Sequence, residues 1–380
     1  MLILSILYAL ILVILSVGLS RLPKPLSSLQ PRLSVVVAAR NEEKNIPLLL
    51  QALAAQNYPR KRFEIIIADD GSSDGTAGEI SRFGALHPDL DLRSITVVGR
   101  EQVASPKKNA LQQAIAHATG EVLVFTDADC QPGPRWLSSL IRYFAPGIEM
   151  VIGFSPMEKP SLASLGHRLL ALDALSLAAL SAGSTGWRAP ATCNGRNLAY
   201  RKNLYDRIGG YTGIDQFVSG DDDLFLSQAI RFGHTHFAYA LDAEAVVPTR
   251  LLQNWHSFFH QRLRHASKGF HYSAKKIGLL VMTYLYNVLM AVMLVKAFFG
   301  HAAAIEPLAV LLIKSAGELA LLIPFSHQMR RLRCLAVFPV AAILHPFYVV
   351  IFGALGQFWH FNWKEERFAK QNRAKTGVSI

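Results

Sequence analysis

The chain has 380 residues, with 39 Lys and Arg against 27 Asp and Glu, for a formal net charge of +12. Charged residues make up 17% and hydrophobic ones 51%, where soluble globular proteins carry about 25% charged residues. That composition excludes a disordered or highly charged scaffold and argues against a wholly soluble chain. Three widely spaced cysteines, Cys130, Cys193 and Cys334, exclude a disulfide framework and a cysteine-based zinc site.

Residues 1–20 carry no charge, and the first charged side chain is Arg21. About 20 apolar residues suffice to cross a bilayer as a helix. No basic n-region and no small-x-small cleavage site precedes Arg21, which favours an N-terminal transmembrane helix over a signal peptide. Arg21, Lys24 and Arg32 follow directly and place the next segment in the cytoplasm by the positive-inside rule.

Residues 31–248 are a different material, with short apolar runs alternating with helical stretches. Segments 33–39, 64–70, 94–99 and 121–129 are expected as strands, with helices running to Ala55 and over 107–118. Strands alternating with helices imply an α/β domain with a mostly parallel sheet. Ligands of such sheets bind beyond the carboxyl ends of the strands, where Asn41, Glu42, Asp69, Asp70, Asp127 and Asp129 cluster in the sequence. A solvated loop explains any one of these carboxylates, but not acidic residues at the tips of separate strands.

Asp127 and Asp129 are spaced so that, in an extended chain, both side chains point the same way and share one hard divalent cation. Asp221, Asp222 and Asp223 precede an apolar helical stretch. They read equally as a helix N-cap or as a general base whose pKa is raised by crowding. Lys107 and Lys108 precede the helix before the fourth strand and suit either a phosphate contact or a surface. Segment 160–190 is rich in Leu and Ala, yet Arg168 and Asp173 make it too polar to span comfortably. It is expected as a helix lying on the membrane surface, with Trp187 near an acceptor; an ordinary core helix is the rival reading.

From Arg250 to Lys276 there is no acidic residue, while Arg262, Arg264, Lys268, Lys275 and Lys276 accompany Trp255, Phe258 and Phe259. Over 249–276 this fits a basic amphipathic interfacial segment contacting membrane lipids, and its adjacency to the bilayer argues against nucleic acid. Gln261, Arg262 and Arg264 would aim cations at a diphosphate from the membrane side. The C-terminal region 277–358 offers spans at 278–299, 307–325 and 335–356, and 359–380 is a basic tail. Arg330, Arg331 and Arg333 place the second short loop inside, so three complete crossings would strand the tail outside. Either the last segment is re-entrant, bending at Pro346, or the tail departs from the rule. Lys314 and Glu318, four residues apart in the middle span, are functional candidates or a self-neutralising pair.

SVVVAARNEE (34–43), IIIADDGSSDGT (65–76), PKKNAL (106–111), FTDADC (125–130), NGRNLAYRK (194–202), SGDDDLFL (219–226) and QRLRHASKG (261–269) occur in one order. Together with the flanking apolar segments, the chain resembles the family-2 membrane glycosyltransferases with a GT-A (Rossmann-like) catalytic domain. The resemblance implies an inverting transfer of a sugar from a nucleotide-sugar donor, UDP-linked by expectation, to a hydroxyl of a lipid-linked or glycan acceptor. It implies donor contacts from Ala39, Arg40, Glu42, Asp70, Lys107 and Asp127, and a Mg²⁺ or Mn²⁺ ion on Asp129 and Asp127. Asp222 would be the catalytic base, with Asp221, Trp187 and His265 on the acceptor side. The enzyme would sit in the inner cell membrane with its catalytic domain in the cytoplasm.

Two positions depart from the family pattern. Asp221 stands where the family has Glu. His265 stands where processive synthases carry a Trp beneath the acceptor sugar. The second departure disfavours the alternative of a processive polysaccharide synthase. A catalytically idle partner-binding subunit would be expected to have lost Asp129 or Asp222. A transporter is disfavoured by having about four spans.

Overall fold

A computed structural model describes residues 1–158, 164–250, 259–263, 266, 272, 274–300, 303, 305–358, 361–363 and 366–368. Its α/β domain is built on strands β1 (Leu33–Ala39), β2 (Phe63–Asp69), β3 (Leu92–Thr96), β4 (Val122–Phe125), β5 (Ile148–Gly153), β7 (Leu198–Arg201) and β8 (His236–Ala240). Two short strands, β6 (Met157–Glu158) and β9 (Thr249–Arg250), pair in parallel apart from this sheet. A hairpin of β10 (Phe361–Trp363) and β11 (Glu366–Phe368) follows the last long helix.

The seven-stranded order is β3-β2-β1-β4-β7-β5-β8. Strands β1 to β4 are mutually parallel where they pair, and β7 runs antiparallel to both β4 and β5. The central strands are apolar on both sides, as a sheet covered on two faces requires. Val35 and Val37 face one core, and Val36 with Ile66 and Leu123 the other. The expected α/β architecture is present. Its third and fourth strands are shorter than expected, because Val97 and the Thr126–Asp129 stretch leave the ladder to form loops.

The domain's helices are α2 (Ile46–Ala54), α3 (Thr76–Leu86), α4 (Pro106–Ala116), α5 (Trp136–Ile141), α7 (Lys202–Ile208) and α8 (Asp223–Phe232). Outside them lie α1 (Leu2–Ser20), α6 (Leu165–Gly186), α9 (Ala274–Phe298), α10 (Ile305–Gln328) and α11 (Phe338–Phe358). Among the described residues five helical runs are long and apolar enough to cross a membrane, α6 being one of them. The sequence marks only four, because Arg168 and Asp173 dilute α6.

Helix α9 is described from Ala274, with Lys275 and Lys276 in its first turn. Helix α11 contains Pro346, and in its last turn Gln357 Nε2 donates to Ala266 O at 2.8 Å.

Helices α1 and α10 run side by side in the same direction. The terminal amine of Met1 lies 3.9 Å from Glu306, Tyr8 donates to Glu318, and Ser16 Oγ donates to Ala320 O. Lys314 is fully buried and pairs with Glu318 at 2.6 Å, so the two intramembrane charges neutralise each other. Glycines let α1 and α6 touch: a Cβ added at Gly186 would sit 1.8 Å from Gly18 O. Helix α6 also packs on α10 and β8, which couples the apolar bundle to the sheet.

Candidate active site

The site forms where the parallel strands end. Because β7 is antiparallel, Phe125 at the end of β4 pairs with Leu198 at the start of β7. That register brings the Asn194–Asn197 turn to the same edge as Ala39, Asp69 and Asp127. Asn197 is buried and pins this turn. It accepts from Trp136 Nε1 at 3.0 Å and donates to Phe154 O and Ala245 O at 2.8 and 2.7 Å.

The loops after β1 and β2 form one knitted wall. Asn41 adopts a left-handed conformation (φ 52°), which asparagine tolerates, and its side chain accepts from Ser73 N at 2.9 Å. The Glu42 amide donates to Thr76 Oγ1 and the Glu43 amide to Asp74 Oδ2. Asp74 is held below the usual carboxylate range. Burial opposes this, but donors from Thr76 and the Glu43 amide outweigh it. Ala39 is buried at the strand end, Arg40 follows half-buried, and Asn45 donates to Glu42 Oε2 at 2.7 Å. Asp70 is buried, and its carboxylate lies 3.2 Å from Arg100 Nε.

The centre is a set of carboxylates tied by one ammonium. Lys107 Nζ lies 2.9 Å from Asp127 Oδ1 and 3.0 Å from Asp221 Oδ2. Burial works against the charge, but Asp127 and Asp221 hold the ammonium well above its usual pKa. Asp127 and Asp129 sit in a turn closed by the Cys130 amide on Asp127 O at 3.1 Å. The expected extended-chain geometry is therefore corrected, since β4 ends at Phe125.

Asp222 is the N-cap of α8. Its carboxylate accepts from the Asp223 amide at 2.7 Å and from the Gly195 amide at 3.1 Å. The N-cap reading thus holds, and it leaves the general-base reading open. Asp223 accepts from Thr192 Oγ1 and the Cys193 amide at 2.7 and 2.9 Å, and from the Tyr272 hydroxyl at 3.3 Å.

A divalent cation fits this donor set. Asp127 and Asp129 supply hard oxygen donors on a partly exposed turn. No cluster of three metal-type side chains occurs among the described residues, so an ion held here would need phosphate oxygens and water to complete its shell. The Cys130 thiol is pushed up by burial and by Asp129 and Asp127, so it stays protonated beside them.

Several expected residues are committed elsewhere. Arg262 is buried and pairs with Asp173 of α6 at 2.7 Å, with its guanidinium 6.0 Å over the Tyr348 ring. It braces α6 against α11 instead of aiming at a diphosphate. The neighbouring Gln261 is half-buried on the same helical segment. Trp187 donates from Nε1 to Ile14 O at 2.7 Å and carries Arg21 over its ring, so it anchors α1 instead of lining a sugar pocket. Arg264 and His265 lie outside the described residues.

Sequence reasoning missed three participants. Arg100 directly follows the stretch expected as the third strand, 94–99, a position that could have marked it. Tyr272 lies outside the α/β segment, and nothing local signals its reach to Asp223. The Gly195 amide is a backbone group and carries no side-chain signal.

Residues 34–221 match the family model described as Glycosyl transferase family 2. The match ends one residue before Asp222. The glycosyltransferase AglE of Haloferax volcanii is 25% identical over 230 residues, 59% of this chain and 69% of that protein. An undecaprenyl-phosphate 4-deoxy-4-formamido-L-arabinose transferase of Pectobacterium carotovorum is 34% identical over 119 residues, 31% of this chain and 35% of that one. The chain thus spans about two thirds of the first relative and about a third of the second. Among solved structures, the mannosyltransferase PcManGT from Pyrobaculum calidifontis, in complex with GDP-Man and Mn²⁺, superposes with a TM-score of 0.57 at 19% identity. That superposition covers 93% of this chain and 96% of that one, and it supports the GT-A fold with its flanking apolar helices.

Proposed function

From the premise that the chain belongs to glycosyl transferase family 2 and is a glycosyltransferase, we propose that it is a membrane-bound inverting enzyme. It moves a sugar from a nucleoside-diphosphate sugar to a hydroxyl of a lipid-linked acceptor. One observation carries this reading: Lys107 draws Asp127 of the Asp-x-Asp turn and Asp221 of the acidic loop to one point at the strand ends. Donor chemistry and acceptor chemistry need that proximity.

In this reading the wall formed by Glu42 and Asp70 receives the nucleoside, and Lys107 neutralises phosphate charge. Asp129 and Asp127 would hold Mg²⁺ or Mn²⁺, which when bound supplies charge stabilisation to the departing diphosphate. Asp222 accepts the acceptor's proton as its oxygen attacks the anomeric carbon in line. The bond to the diphosphate breaks as the new glycosidic bond forms, and configuration inverts. The Gly195 amide orients the Asp222 carboxylate for this step. The apolar helices beside the site, and a relative named for an undecaprenyl-phosphate acceptor, favour a lipid acceptor.

The test is transfer from a panel of UDP- and GDP-sugars to diacylglycerol or a polyprenyl-linked glycan in detergent with Mn²⁺. Asp222→Asn is expected to bind the nucleotide without transferring. Full activity in that variant would remove Asp222 from the mechanism.

A further inference from the structure

Lys107 and Lys108 are adjacent but do different work, because a helix N-terminus turns successive side chains in different directions. Lys107 faces the carboxylates. Lys108 is 1% exposed and points into the protein. Its ammonium donates to Phe217 O at 2.5 Å, to Ser219 O at 2.9 Å and to Ser105 Oγ at 3.5 Å. Ser105 in turn donates to Val218 O at 3.0 Å. Three successive carbonyls of one loop are thereby gripped from the start of α4. The next residue, Gly220, has φ 96°, and a Cβ there would meet Leu224 at 2.6 Å. Asp221 and Asp222 follow at once, the latter capping α8.

We propose that Lys108, assisted by Ser105, is a positioning residue that sets where the Asp221–Asp222 loop stands relative to the donor pocket. The inference rests on Asp222 being the base. A buried ammonium is costly unless its donors are satisfied, and here the loop carbonyls satisfy them. Removing Lys108 releases the Phe217 and Ser219 carbonyls, and the loop leaves its inward path. Asp221 stays tethered by Lys107, so the displacement falls on Asp222 and its alignment with the acceptor. A misplacement of about 1 Å can lower turnover about 100-fold.

The experiment compares full-length Lys108→Met, Lys108→Arg and Ser105→Ala with wild type in detergent. Four quantities are read: kcat at saturating donor, UDP or GDP affinity with Mn²⁺ by calorimetry, chymotrypsin cleavage after Phe217, and melting temperature. Lys108→Met is expected to lose about 100-fold in kcat. Its nucleotide affinity should stay within about 3-fold of wild type (under 1 kcal/mol), and cleavage after Phe217 should rise. Lys108→Arg should recover part of kcat. An unchanged kcat, or a kcat loss matched by an equal loss of nucleotide affinity, would overturn the proposal. If Lys108→Met fails to fold, Ser105→Ala decides: reduced kcat with faster cleavage after Phe217 supports the role, and neither change overturns it. The cleavage readout needs no turnover, so an inactive wild type would fault the functional reading while the loop anchor is still measured.

Discussion

At the scale of single residues the site is a balance of charge. Four carboxylates, Asp127, Asp129, Asp221 and Asp222, crowd the ends of two connected loops, and Lys107 bridges two of them. Asp129→Asn should weaken Mn²⁺ binding at least 10-fold by calorimetry in the presence of UDP or GDP, because a neutral amide is a poorer ligand for a hard cation. Asp222→Asn should leave that binding intact while transfer falls by about 10²–10⁴-fold, the range for removing general acid–base catalysis. The two variants thus separate the metal and proton roles. Much of this centre was legible in the sequence, since Asp127, Asp129, Lys107 and Asp221–Asp223 all stand in motifs with short-range order. Arg262 and Trp187 misled because both are polar or amphipathic groups beside apolar segments. Their partners, Asp173 and Ile14 O, lie far away in the chain.

At the scale of elements, two contacts decide how the frame holds. Glu64 on β2 is fully buried as a side chain. It accepts from Ser34 Oγ at 2.6 Å, from Thr119 N and Oγ1 at 2.7 Å, and faces Arg93 at 3.4 Å. Burial pushes its pKa up, but these donors and Arg93 hold it below the usual glutamate range. A carboxylate with a depressed folded pKa contributes stability above its unfolded value, about 4.3. That contribution is lost as pH falls through the folded value. Glu64→Gln should therefore cost about 1–3 kcal/mol at pH 7. Its melting temperature should also fall less steeply than that of wild type between about pH 5 and pH 3. At the α1–α6 seam, Gly186→Ala must push against the Gly18 carbonyl. It should lower the melting temperature in detergent, by about 1–3 kcal/mol of overpacking. Strand existence was readable from β-branched runs, but strand ends were not. Thr126–Asp129 looks as strand-like as Val122–Phe125 until Asp127 meets Lys107 on α4.

At the scale of the whole molecule, the parallel course of α1 and α10 groups the charges by side. Met1 and Glu306 meet at one end of the bundle. Arg21 and the Arg330–Arg333 loop then belong to the other end, the one the positive-inside rule predicts to be cytoplasmic. The last turn of α11 meets Ala266, ahead of α9, through Gln357. A membrane-impermeant maleimide applied to intact cells should label Ala303→Cys at once. The native Cys334 should react only after permeabilisation, and its labelling in intact cells would contradict this orientation. The bundle was legible from the apolar segments, whereas the fifth long helix, α6, was hidden by Asp173, a charge the fold neutralises with Arg262.

The central claim is that the carboxylate cluster transfers a sugar from a nucleotide donor. Its most direct measurement is nucleoside diphosphate release from a panel of UDP- and GDP-sugars by the purified full-length protein in detergent with Mn²⁺. Wild type is run beside Asp129→Asn and Asp222→Asn, with and without diacylglycerol or a polyprenyl-linked glycan. The account predicts release from one donor, stimulated by the lipid, abolished by chelation and lost in both variants. No release from any donor, together with no heat of UDP or GDP binding, would contradict it.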